Sequence, residues 1–246
     1  MKVVIAPSYY SLKEFVMHLP ARFEQEGDTL YQGRNVVKRF AINGEDWIVK
    51  RYKRPILIQR IIYTFLRKSK AERAYLYAER LLSSGVATPD AVAYVECKHR
   101  GLISDTFFVS TPCYDQAVIT QLPKVGDFDR KLADAVALFI VKLHEAGIMH
   151  GDLNFNNILY RINDSGGYEF TLIDTNRSRF LPSPARADCL KNLERITHNK
   201  TIMEYVARRY ADIRGWDADR TAEQVLQRLD NFERRKKMKK FFKRKK

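Results

Sequence analysis

The stretch His150-Gly151-Asp152-Leu153-Asn154-Phe155-Asn156-Asn157 decides how this chain is read. It is a polar loop between two apolar patterns. Before it, Leu132, Val136, Phe139, Ile140 and Leu143 fall on one helical face, predicting a helix from near Asp127 to Ala146 that Gly147 stops. After it come a short strand, ILYRI (158–162), a Gly-Gly turn, and a second strand, YEFTLID, that ends on Asp174. Phosphoryl transfer needs a carboxylate to orient an attacking hydroxyl, and oxygen ligands for Mg²⁺ on the nucleotide phosphates. An Asp and an Asn five apart in one loop, with a second Asp on the next hairpin, can supply these. Asp152 is then the base, and Asn157 and Asp174 are the metal ligands. The plainer alternative is that Asp152 and Asn157 only cap the loop.

Working outward, the same chemistry asks for a cation on the phosphates. Lys50, in WIVKRY (47–52), has the right setting: an apolar strand after a hairpin over residues 28–52, with its turn at Asn43-Gly44. A helix must then offer that lysine an acid, and Glu72 and Glu79 are the only acids between Lys50 and Gly85. Residues 55–83 read as helical with a break near Ser69. AVAYVEC (91–97) and LISDTFFVS (102–110) read as strands, and everything after Arg186 reads as helix. The order predicts an α+β chain, strand-rich first and helical second, with a boundary near 110–112.

The 246 residues carry a formal charge of +15, very unevenly distributed. Arg234 to Lys246 holds ten basic residues and no acid; Lys50 to Arg73 holds nine and one acid, which leaves −3 for the rest. The body is near neutral, with two basic patches. Nucleic acid would use such charge, but there is no base-reading motif beside it, which argues against that partner. RRKKMKKFFKRKK (234–246) interleaves Met238, Phe241 and Phe242 with bases, a composition suited to an anionic membrane surface, or else to a solvated tail. The second patch mixes bases with an apolar stripe. It suits a membrane, an acidic sugar, or a helix packed with its charged face outward. The longest apolar runs, such as IIYTFL (61–66), are far short of the ~20 residues a spanning helix needs. Cys97, Cys113 and Cys189 are too widely spaced for a disulfide framework or a metal cluster, and the chain reads as cytoplasmic.

VKRY (49–52), HGDLNFNN (150–157) and LIDTNR (172–177) resemble the lysine strand, catalytic loop and metal-binding segment of the protein-kinase-like fold. More narrowly, the set resembles the lipopolysaccharide core kinases, the Kdo kinase and heptose kinase family, as do YKRP (52–55), SKAERAY (69–75) and SSGVATPDAVAY (83–94). The resemblance runs from about Gly33 to Leu193. It implies a bilobal protein-kinase-like fold: a strand-rich, nucleotide-binding lobe over 1–110, a small helical catalytic lobe over 111–232, and a basic tail over 233–246. It implies ATP and Mg²⁺, with Lys50 on the phosphates and Glu72, preferred over Glu79, paired with it. His150 would orient the loop rather than act as a base.

Departures from the wider kinase pattern shape the reading. No full glycine-rich loop is present, and only Gly33-Arg34-Asn35 stands where one belongs. Asn154 replaces the lysine that protein kinases carry two residues after the catalytic Asp; Arg177 is a candidate for the missing charge, or a brace for the hairpin. The short segment after Asp174, with Pro182 and Pro184, leaves no cradle for a peptide. That favours a small or glycolipid substrate, and the resemblance implies a sugar hydroxyl of the lipopolysaccharide inner core or a similar lipid-linked glycan, with the enzyme peripheral on the inner face of the inner membrane. The alternatives are a kinase for another small molecule and a non-catalytic nucleotide-binding scaffold at the membrane.

Overall fold

A computed structural model of the chain describes residues 1–122 and 128–244, the side chains of 239, 240 and 242–244 apart. Two compact units emerge. One is Met1–Tyr114 together with Asp174–Arg177; the other comprises the described parts of Asp115–Ile173 and Ser178–Lys246.

The first unit is an antiparallel six-stranded sheet with helices on it. Its strands are β1 (Lys2–Ile5), β2 (Asp28–Gln32), β3 (Val36–Ile42), β4 (Glu45–Tyr52), β5 (Ala91–His99) and β6 (Leu102–Ser110), in the order β1-β5-β6-β4-β3-β2. The hairpin expected over 28–52 is three strands, because Gly33–Asn35 turns the chain between β2 and β3 before Asn43-Gly44 turns it again. Helix α1 (Lys13–Gln25), which the sequence reading did not mark, places Phe15, Val16, Leu19 and Phe23 on one sheet face against Phe40, Trp47, Val49, Phe107 and Val109. Helix α2 (Leu57–Phe65) and helix α3 (Lys70–Ser83) are separated at Ser69, whose Oγ caps α3 by accepting from the Glu72 N–H. Helix α3 packs Ala71, Ala74, Tyr75 and Ala78 against Tyr52 and Tyr94 on the other face. Side chains alternate across a strand. Trp47 and Val49 therefore go to α1, while Lys50 shares the α3 side with Tyr52.

The second unit carries a three-stranded sheet of β7 (Gln116–Ala117), β9 (Ile158–Ile162) and β10 (Tyr168–Leu172), and a small pair of β8 (Ile148–Met149) with β11 (Arg179–Phe180). Its helices are α4 (Arg130–Glu145), α5 (Arg186–Leu193), α6 (Lys200–Ile213) and α7 (Ala218–Arg244). The expected start of α4 at Asp127 lies outside the described residues. Asp129 caps the helix, accepting from the Leu132 N–H at 2.9 Å. The residues read as a basic tail continue α7 as far as Arg244. Nothing from Arg234 onward breaks a helix, and clustered Lys and Arg favour its C-terminal end.

Two features of this unit hold the polar loop. Gly147 takes φ +73, donates to the His144 carbonyl and accepts from Leu181 N–H at 2.8 Å. A Cβ there would run into the Leu181 carbonyl oxygen. Behind it, His144 of α4 is 1% exposed and bridges α6 and α5: Nδ1 lies 2.8 Å from the Tyr210 hydroxyl and Nε2 3.0 Å from Asn192 Oδ1. Asn192 Nδ2 in turn donates to the His150 carbonyl at 2.7 Å.

Gly147→Ala should therefore lower stability by more than about 2 kcal/mol, from positive-φ strain plus the backbone clash, as read from a urea-unfolding midpoint. Burial holds His144 down at about 4, against an ordinary 6.5. The unfolded chain then takes up a proton between those values while the folded chain does not. The contribution of His144, at most about 3 kcal/mol, is complete above pH 6.5 and is lost as pH falls toward 4. His144→Gln should flatten the stability-versus-pH slope in that window.

Candidate active site

In the second unit, the loop from His150 to Asn157 is held by its own polar groups and by bonds to Ile119, Ile173, Asn192 and Ile196. The Asp152 carbonyl accepts from Asn154 Nδ2 at 2.8 Å and from Asn157 Nδ2 at 2.9 Å. Asn154 Oδ1 accepts from the Asn156 N–H, and the Asn157 N–H donates to the Asn154 carbonyl, both at 2.9 Å. Asn154, where protein kinases carry lysine, thus braces the loop instead of presenting a charge. With Nδ2 of Asn157 committed to Asp152, Oδ1 is the acceptor end of that amide. His150 is fully buried, its Nε2 2.9 Å from the Ile173 carbonyl and its Nδ1 accepting from the Asp152 N–H at 3.3 Å.

The Asp152 side chain faces a partner that sequence did not single out. Arg195 Nη2 stands 2.8 Å from Asp152 Oδ1, and the same guanidinium lies over the Phe232 ring of α7, 4.8 Å from its centroid. Asp152 and Arg195 together line two pockets. One, of about 360 Å³, is bounded also by His150, Arg179, Lys191 and Asn192; the other, of about 420 Å³, by Asn156, His198, Phe232 and Lys236. The first pocket balances Arg179, Lys191 and Arg195 against Asp152, Asp188 and Glu194, while in the second Asp152 faces Arg195 and Lys236. No motif marks Arg195, Asn192 or Lys236 in the sequence; the only signal was their place just beyond the loop and in the basic C-terminal run.

In the first unit, Lys50 Nζ donates to Asp174 Oδ1 at 2.8 Å, and Asn176 Nδ2 donates to the same oxygen at 2.6 Å. Asp174 has a left-handed backbone, φ +57, a conformation uncommon for a residue other than glycine. Lys50 also lies over the Tyr52 ring, whose phenol is pushed up by burial and by the Asp174 charge. The expected Lys50–Glu72 pair is not formed. Glu72 sits in the first turn of α3 facing β1 and β5, where Oε1 accepts from Lys2 Nζ at 3.2 Å and from the Tyr94 hydroxyl at 3.4 Å. The other candidate, Glu79, lies beside Tyr75; burial and Glu79 push that phenol up to about 12.

Arg177 closes the 3₁₀ turn Thr175–Arg177 and is exposed. Lys70, at the start of α3, is a residue sequence missed: burial lowers its pKa, and so do Arg34, Arg177 and Arg73, while Asp174 opposes them. The cations of the Gly33 turn, the start of α3 and the 3₁₀ turn thus feel one another. Gly33 itself donates its N–H to the Asn35 carbonyl at 3.0 Å, and Asn35 Oδ1 accepts from the Lys53 N–H, so the β2–β3 turn is tied to the end of β4. A Cβ on Gly33 would collide with the Tyr31 ring. The carboxylate of Asp174 and the amide oxygen of Asn157 are hard oxygen donors of the kind Mg²⁺ takes alongside phosphate oxygens. Among the described residues, no three of His, Cys, Asp and Glu gather as a self-contained metal site.

The comparisons bear on this arrangement. A sequence search of curated proteins finds no match. Among solved structures, one described as WaaP in complex with acyl carrier protein aligns with TM-score 0.58 and 18% identity, covering 92% of this chain and 99% of that one. That likeness shows the fold, which is protein-kinase-like. A Rio2 kinase–ADP/Mg²⁺–phosphoaspartate complex from Chaetomium thermophilum aligns with TM-score 0.49 and 16% identity, covering 94% of this chain and 77% of that one. The profile described as "Lipopolysaccharide kinase (Kdo/WaaP) family" matches residues 16–216, a span that holds Lys50, the loop from His150 and Asp174. With that span matched and those residues set out as they are, the chain belongs to the lipopolysaccharide kinase family, phosphotransferases that act on core-sugar hydroxyls.

Proposed function

We propose that this kinase moves the γ-phosphoryl group of ATP to a Kdo or heptose hydroxyl of the lipopolysaccharide inner core, with Asp152 as the base. The observation that carries the reading is the setting of Asp152. Its backbone is locked by His150, Asn154 and Asn157, and its carboxylate stands beside Arg195 on the border of two polar pockets lined by charged side chains. A carboxylate so held presents a fixed acceptor for the hydroxyl proton, so its aim costs nothing when the acceptor arrives. Arg195 faces that carboxylate as an ion pair. Inner-core sugars bear carboxylate or phosphate groups, which Lys191 and Lys236 would take together with Arg179 and Arg195, each already beside a carboxylate of its own, Asp188 and Asp152.

In the first unit, Lys50 is assigned to the nucleotide phosphates, and Lys70, Arg34 and Arg177 add positive charge in the same neighbourhood. Asn157 Oδ1 and the Asp174 carboxylate would hold Mg²⁺, which when bound supplies positive charge to the phosphate oxygens. The Gly33 turn, whose own N–H is committed to the Asn35 carbonyl, is assigned to the nucleotide side as phosphate cover. The basic end of α7, with Met238 and Phe241 exposed, is assigned to an anionic membrane surface on the cytoplasmic side. No described helix is long and apolar enough to cross a membrane.

Asp152→Asn should lose transfer by about 10²- to 10⁴-fold while keeping Mg-ATP binding, compared by phosphate incorporation into inner-core acceptor and by calorimetry with nucleotide. Unchanged transfer in that variant would remove Asp152 from the chemistry. Arg195→Met should raise KM for the acceptor about tenfold or more with little change in KM for ATP, and Arg195→Lys should recover part of the loss. A defect confined to ATP would place Arg195 elsewhere in the cycle.

A further inference from the structure

Helix α2 turns Arg60, Ile62, Tyr63 and Thr64 partly inward and leaves its other residues exposed. Arg60 donates to the carbonyls of Ile103 at 2.8 Å and His99 at 2.7 Å, and more weakly to that of Leu102. Thr64 Oγ1 donates to the Arg60 carbonyl at 2.7 Å and accepts from the Ile103 N–H at 3.0 Å. These bonds pin one side of the helix to the β5–β6 end of the sheet and prevent it from rolling. No residue of α2 is buried. At about 100° per residue, Leu57, Ile61, Phe65 and Ile58 span an arc of about 100°, with Thr64 about 20° outside its Leu57 edge.

With Ile56 and Leu66 at the two ends, this arc is exposed throughout, from 44% at Ile61 to 80% at Leu66. A surface helix ordinarily does the opposite and buries its apolar stripe. The chain around the stripe is basic, and Arg54 is paired at 3.7 Å with Asp105 of β6. No acidic residue occurs between Arg51 and Lys70, and Lys53, Arg54, Arg67 and Lys68 are exposed beside the two ends of the helix.

We propose that α2 is a membrane-binding element, whose branched aliphatic and aromatic side chains enter the headgroup–acyl boundary of an anionic bilayer while the flanking bases meet lipid phosphates. The shape favours lipid over protein. The stripe is a run of exposed side chains along a short helix, and a bilayer needs no complementary surface to receive it. Charge complementarity points the same way, since apolar residues ringed by Lys and Arg match the layered chemistry of a lipid interface. The proposal stands on α2 alone and does not depend on the kinase reading.

The test uses the full-length chain, sedimented with vesicles of phosphatidylcholine alone and of phosphatidylcholine with phosphatidylglycerol. The chain should partition onto the anionic vesicles, more weakly as salt rises. Ile58→Ser with Phe65→Ser should lower that partitioning by at least about tenfold without lowering the melting temperature, because neither side chain belongs to the core. Phe65→Trp should bind like the unmodified chain and shift its fluorescence to the blue on adding anionic vesicles. The proposal is overturned if the unmodified chain stays in the supernatant with anionic vesicles, or if the double variant sediments as well as the unmodified chain. It is equally overturned if light scattering without lipid shows that the double substitution splits a dimer, which would make the stripe a contact between two copies.

Discussion

The imidazole of His150 is the interaction on which the catalytic loop rests. The Ile173 carbonyl can only accept, so Nε2 carries the proton; Nδ1 is then bare and takes the Asp152 N–H. The His150 carbonyl receives Asn192, which links the loop through His144 to Tyr210. Ile173 is held on both sides, its N–H on the Asn157 carbonyl and its C=O on His150. The chain therefore leaves Ile173 with both backbone groups committed, and the next residue, Asp174, turns into the left-handed region. One neutral ring thus sets the backbone of Asp152 and of the residue that delivers Asp174. Such strain survives only where the surroundings over-determine it.

How much of this sequence could reveal depended on whether the cause was local. Strand alternation is local, so the placing of Lys50 on the side opposite Val49 followed from WIVKRY. Helix caps are local, so the break at Ser69 was legible, and the ordered motifs carried the fold. The partners of the charged groups were not legible, because they lie far apart in the chain. Lys50 meets Asp174 across 124 residues, and Glu72 meets Lys2 across 70. A spacing argument sees only that Glu72 is the right kind of group, not that β1 brings another lysine to it first. Helix α1 was missed, although its apolar residues fill one sheet face, because its pattern is interrupted by Pro20 and His18. Arg195 carries no motif at all; only the fold sets it against Asp152.

The net charge is resolved into separate tasks by the same reasoning. Lys70, Arg34, Arg177 and Asp174 share one electrostatic neighbourhood, and the pKa of Lys70 is lowered first by burial and then by the nearby cations. Arg195 serves a carboxylate. Arg60, despite lying in the middle of a basic run, spends its guanidinium on backbone carbonyls as a structural pin. Counting bases along the sequence merges these roles, and burial with partner geometry separates them.

The short segment Asp174–Arg177 has a consequence for how the molecule is made. It packs with the first unit, yet it is synthesised only after most of the second unit's loop and hairpin. The six-stranded sheet can assemble from the first 114 residues as they emerge, but Lys50 must wait for residue 174 before its charge is matched. The chain crosses between units at three peptide junctions, so a fragment ending at Tyr114 lacks a piece of its own unit, and a fragment beginning at Asp115 carries that piece without its host. Co-translational folding, which usually completes an N-terminal unit before the next begins, here closes the first unit late, once the strand held by His150 has been laid down.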